Sequence, residues 1–126
     1  MKKLVIAAIL LVIILTFGII EQVYVEHILT HAKEMSDSLI HSLKDNNIAE
    51  ASTIYDELYS YWNKKRDMLS VFFSHNEFRD VPVLLGELEG YIRVGNADEA
   101  LVRVYVIRED TLNHLSILDF SYSNIF

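Results

Sequence analysis

Eight side chains of this sequence are of types and at spacings that could do chemistry. His27 and His31 stand four residues apart, with Glu34 three further on and His41 beyond, so a helix would carry all four potential metal ligands on one face. That face lies opposite the apolar residues of the same stretch. A divalent ion needs further ligands converging from elsewhere, and a single exposed helix face does not supply them, so the pattern reads first as a solvated surface with a zinc-type site as its sharper alternative. Lys65 and Arg108 fall on the apolar side of their stretches, where a charge must reach solvent along its own stem or meet an acid such as Asp56 or Glu89. Beside Trp62 and several tyrosines, Lys65 would line a polar, aromatic pocket suited to an anion. His75 and Glu77 are placed to pair as acid and base, although ordinary helix-end hydrogen bonding explains them as well.

Beyond these candidates the chemistry is sparse. There is no cysteine, which excludes disulfides, thiolate ligands and cysteine nucleophiles, and no phosphate loop, zincin helix or nucleophile elbow is present. Carboxylates such as Asp56, Glu57, Glu87 and Glu89 are spread without the paired spacing of a glycosidase. No catalytic residue and no cofactor is therefore expected, and a hydrolase ranks third among the function classes.

The elements that would position these side chains can be read from patterning. Residues 4–20 run without a charge, close to the ~20 apolar residues that cross a bilayer. Lys2 and Lys3 precede this run, Glu21 and Glu26 follow it, and no basic side chain returns until Lys33. That asymmetry predicts residues 1–3 in the cytoplasm, a transmembrane anchor over 4–20, an extracytoplasmic domain over 21–120 and a tail over 121–126, in a single-pass protein of the cell membrane. A cleaved signal peptide, with Thr16 and Gly18 near the cut, is the competing reading.

All eighteen acidic residues lie beyond Ile20, against nine basic ones once Lys2 and Lys3 are set aside, which leaves that part with a formal net charge of −9. So acidic a surface disfavours nucleic acid and suits cations or a basic partner. Four glycines and one proline are too few for a multi-stranded sheet, so helices are expected.

Four apolar stripes recur at three and four residues. The first comprises Val25, Ile28, Leu29, Ala32, Met35, Leu39 and Leu43, ending near Asp45; the second runs from Ala51 through Ile54, Tyr55, Leu58, Tyr61, Trp62 and Leu69 to Phe72 and Phe73. Ser74 with Glu77 would cap a third, carrying Phe78, Val81, Leu85, Leu88 and Ile92, with Pro82 near its first turn and Gly95 as its stop. The fourth carries Leu101, Val104, Tyr105, Leu112, Leu115 and Leu118. Asn47 to Ala51 and Asn96 to Ala100 are alike and forty-nine residues apart, each an asparagine cap followed three residues on by glutamate. Two αα-hairpins closing as an antiparallel four-helix bundle follow, making the protein all-α with an N-terminal transmembrane helix; a tetratricopeptide-like stack is the alternative. Gly86 and Gly90 sacrifice helix propensity beside the third stripe, which predicts a close approach by a neighbour. The 121–126 segment, apolar at its end, would dock in cis or on a partner.

The basic start and anchor, Trp62-Asn63-Lys64-Lys65, His75-Asn76-Glu77, Glu99-Ala100 and the closing Asn124-Ile125-Phe126 carry a resemblance over nearly the whole chain. The sequence resembles the bacterial family known as domain of unknown function 4363. That resemblance implies a small single-pass membrane protein, in some members encoded beside a multi-pass one, and implies no activity. The expected function is a non-enzymatic accessory or interaction subunit with a membrane protein partner. An extracytoplasmic small-ligand or metal-ion sensor or carrier acting through such a partner is the alternative.

Overall fold

Seventeen uncharged residues followed by a 3.6-periodic stripe give no signal at which a helix should stop, and none is found. In the computed structural model, which describes residues 1–73 and 78–125 and the side chains of these other than 71, 72 and 119–125, α1 runs unbroken over Lys2–Lys44. Its 43 residues reach about 65 Å at 1.5 Å per residue. It is followed by α2 (Ile48–Phe72), α3 (Val81–Arg93) and α4 (Ala97–Ile125), and no strand occurs among the described residues.

The two halves of α1 differ in what covers them. Every side chain from Leu4 to Ile20 is exposed. From Val25 onward the helix buries Val25, Ile28, Leu29, Ala32, Leu39, Ile40 and Leu43 in the bundle, chiefly against α2 and α4. Ser36 and Ser42, also buried, donate their hydroxyls to Ala32 O (2.9 Å) and Ser38 O (3.2 Å) of the same helix, which satisfies them without a partner from elsewhere.

The joints α1–α2 and α3–α4 are one device used twice. Asn46 N donates to Leu43 O and Asn47 N to Ser42 O; Gly95 N donates to Ile92 O and Asn96 N to Tyr91 O. These are the paired bonds of a Schellman motif, and the residue at its left-handed position is Asn46 (φ 55°) in one joint and Gly95 (φ 75°) in the other. The next residue caps the following helix. Asn47 Oδ1 accepts from Glu50 N at 3.2 Å, and Asn96 Oδ1 accepts from Glu99 N at 3.2 Å.

The repeat extends into the core. Leu39 and Leu88, Leu43 and Ile92, Ala51 and Ala100, Tyr55 and Val104, and Leu58 and Ile107 are all buried, and the members of each pair are forty-nine residues apart. Hairpin α1–α2 and hairpin α3–α4 thus present equivalent stripes to each other. α1 lies against α2 and α4, and α3 against α4 and, less extensively, α2, so the helices close as an antiparallel bundle and not as a stack.

Three expectations need correction. The third helix begins at Val81, not near Ser74: Pro82 occupies its first turn, Asp80 makes no side-chain cap bond, and Phe78 packs ahead of the helix. The proposed cap residues Ser74 and Glu77 lie outside the described residues. In α4 Val104 is buried and Leu101, Leu115 and Leu118 pack on the core as expected, but Tyr105 is 37% exposed, and the other buried positions are Ala100, Ile107, Thr111 and His114. Gly86 and Gly90 face open space, since a Cβ on either would meet nothing within 4 Å. The 121–126 segment is helical through Ile125, and its side chains and Phe126 lie outside the described residues.

Candidate functional site: the aromatic end of the bundle

The bundle has two ends of different character. Away from the apolar segment, the core is aliphatic around Leu39, Leu43, Leu85, Leu88 and Val104. Toward the apolar segment, the buried aliphatics of the cluster among the described residues are Val25, Ile28, Leu29 and Leu69, and Tyr24, Tyr61, Trp62, Phe73 and Phe78 pack on them with Leu115 and Leu118. The forty-nine-residue repeat places Trp62 opposite Thr111 and Lys65 opposite His114 at this end, so polar groups enter the stripe in both hairpins.

Lys65 Nζ donates to the Tyr24 hydroxyl at 3.0 Å, linking α2 to α1 just beyond the apolar run. The ammonium stands 5.3 Å from the Tyr24 ring centroid and 5.9 Å from that of Tyr61, within cation–π range of both. Tyr61 in turn meets the edge of His31 at 4.5 Å. The bond to Tyr24 raises the Lys65 pKa, so the side chain stays cationic at neutral pH. Burial raises that of Tyr61, against the opposing influence of Lys65.

The acids expected to meet the two inward cations are not those found. Lys65 has no carboxylate partner among the described residues. Arg108 binds Asp37 at 2.5 Å and Glu109 at 3.1 Å, joining α4 to α1 across seventy-one positions; neither Asp56 nor Glu89 is involved. Lys33 completes this group at 3.0 Å from Asp37. Partial burial works against ionising Asp37, but the hydrogen bonds from Arg108 and Lys33 outweigh it and hold the pKa below the usual carboxylate value.

Trp62 Nε1 is buried with no hydrogen-bond partner among the described residues. It borders an internal cavity of about 20 Å³ that Lys65, Asp110 and Thr111 also line. That volume suits one water molecule and falls far below the several hundred Å³ of a small-molecule site. His114, buried behind it, has Nδ1 2.8 Å from Asp110 O and stacks on Phe78 at 4.4 Å.

Of the proposed metal ligands, His27, His31, Glu34 and His41 are all exposed on α1. His41 pairs with Asp45 at 3.3 Å, and among the described residues no three histidine, aspartate or glutamate side chains converge. His75 and Glu77 lie outside the described residues. The structure therefore joins Trp62 and Lys65 in one cluster, sets Arg108 in a separate ion-pair group, and brings in Tyr24, Tyr61 and His114. Adding forty-nine to Trp62 and Lys65 would have pointed to Thr111 and His114; the apolar count passed over them because they are polar.

Residues 19–125 match the family described as Domain of unknown function (DUF4363). No curated protein and no solved structure matches the chain.

Proposed function

The chain belongs to the Domain of unknown function (DUF4363) family, and since that membership assigns no activity, we propose from its own residues that it is a membrane-anchored accessory protein. Residues 4–20 span the bilayer, Lys2 and Lys3 stay on the cytoplasmic side, and the acidic four-helix bundle stands outside as a surface for a membrane protein partner. The observation that carries this reading is α1 itself. One half of a single helix is apolar, long enough to cross a membrane and covered by nothing; the other half forms one wall of a folded core. Exposed to water, the leucine, isoleucine, valine and phenylalanine side chains of residues 4–20 would cost about 1.5–3 kcal/mol each, whereas lipid removes the cost.

The role is a non-enzymatic one. An extracytoplasmic carrier or sensor has less support among the described residues, where the cavity beside Trp62 admits little more than a water and no three histidine, aspartate or glutamate side chains converge. Crosslinking in intact cells at native expression, followed by detergent solubilisation and identification of attached chains, tests the proposal. A specific multi-pass membrane protein recovered in near-stoichiometric yield is the expected outcome. Recovery of partner-free chain alone would count against an accessory role.

A further inference from the structure

The cations of the bundle differ in their partners, and position alone does not sort them: Lys44, at the far end of α1, stands over the Tyr105 ring with no carboxylate partner among the described residues. Lys33, Arg93, Arg103 and Arg108 each have a carboxylate oxygen within 3.0 Å, and they lie on the middle or far part of the bundle. Lys64 and Lys65 have no carboxylate partner among the described residues, and Arg66 has only a loose pair, 3.9 Å from its neighbour Asp67. These three consecutive cations sit on α2 as it descends toward the apolar segment.

Their height follows from α1. Tyr24 is four residues past Ile20, about 6 Å along the helix axis, and the headgroup layer on each side of the hydrocarbon is about 5–7 Å thick. Lys65 Nζ is tied to the Tyr24 hydroxyl at 3.0 Å, which puts the ammonium at the same height. That bond uses one of its three N–H donors, and no second acceptor is found among the described residues. Two tyrosine rings hold the ammonium in position without neutralising it.

We propose that Lys65, set between Tyr24 and Tyr61, binds the phosphodiester of a phospholipid in the outer leaflet, with Lys64 and Arg66 adding attraction. The inference rests on residues 4–20 spanning the membrane. A phosphate there accepts the remaining ammonium hydrogens, while the tyrosines occupy the interfacial layer that aromatic rings favour. Glu21 and Glu26 flank Tyr24 on α1 and Asp67 stands 3.9 Å from Arg66, so the attraction rests chiefly on the Lys65 ammonium, which has no carboxylate partner among the described residues; acids farther off than the Debye length of about 8 Å are screened.

The test uses the full chain, purified in a phosphate-free maltoside detergent and titrated with phosphatidylglycerol. Bound lipid is read by native mass spectrometry, and lipid-free thermal unfolding serves as the control for folding. One tightly held phosphatidylglycerol is expected on the wild type, about tenfold weaker binding on Lys65→Gln, and recovery on Lys65→Arg, since a charge-assisted hydrogen bond is at stake. Tyr24→Phe, which keeps the ring and removes the hydroxyl, should weaken binding less. Unchanged binding by Lys65→Gln overturns the proposal. So does displacement of the lipid by inorganic phosphate at equal concentration, which would make this a site for a soluble anion, or equal retention of a phosphate-free galactolipid. Carbonate extraction of wild-type membranes, run alongside, separates the two ideas: release of the chain defeats the anchor, whereas a retained chain with Lys65-independent binding defeats only the lipid site.

Discussion

The Tyr55 hydroxyl crosses from α2 to donate to Leu85 O of α3 at 2.9 Å, and burial raises its pKa well above the usual phenol value. Tyr55→Phe keeps the ring and deletes that bond, so a loss of about 1 kcal/mol is expected in urea unfolding followed by circular dichroism. Asp37 gives a second residue-scale prediction, with a sign set by its depressed pKa. Its carboxylate contributes stability at any pH above its unfolded value near 4, and the contribution is lost as pH falls through the lower folded value. Asp37→Asn should therefore destabilise the protein at pH 7 and have progressively less effect below about pH 4. An equal effect at pH 7 and pH 3 would show that the ion group of Lys33, Asp37 and Arg108 does not act through charge. Periodicity placed Lys65 and Arg108 on the inner sides of their helices, but a helix pattern names a face and not the neighbour across it. Tyr24 and Asp37, forty-one and seventy-one positions away, were consequently beyond its reach.

At the scale of elements, the paired joints offer a comparison built into one chain. Asn46 and Gly95 hold the same left-handed position, where glycine has no Cβ to strain. Asn46→Gly should stabilise by about 0.5 kcal/mol, and Gly95→Ala should cost about 1–2 kcal/mol. Gly86 and Gly90 offer the opposite kind of change, because each lies within α3 facing open space. Alanine at each should raise stability by about 1 kcal/mol through helix propensity alone, measurable as a higher urea midpoint with an unchanged slope. The expectation of a close neighbour there failed because weak propensity has more than one cause, and tertiary packing is only one of them. The asparagine caps were legible because their chemistry is local, confined to four residues. The start of α3 and the centre of the α4 stripe were not, since Pro82 decides the first and two buried polar residues, Thr111 and His114, interrupt the apolar count of the second.

For the whole molecule, the decisive feature is that one unbroken helix, α1, is apolar and exposed over residues 4–20 and packed into the bundle from Val25 onward. Its C-terminal half packs against α2 and α4, so the bundle cannot pivot freely about a linker, and Gln22 Nε2 donates to Leu118 O at 3.1 Å where α4 returns to the point at which α1 leaves the bundle. The internal repeat makes the bundle self-sufficient: two equivalent stripes bury one another, which leaves the apolar run of residues 4–20 uncovered and available to lipid. Because the sequence contains no cysteine, a single introduced thiol reports position without interference. Ser52 is exposed on α2, and Ser52→Cys in the full chain can be treated in spheroplasts with a membrane-impermeant maleimide. Labelling before lysis, on chain that sediments with the membranes, is the predicted result. Labelling only after lysis, or labelled chain free in the supernatant, would contradict an anchored bundle outside the cytoplasm.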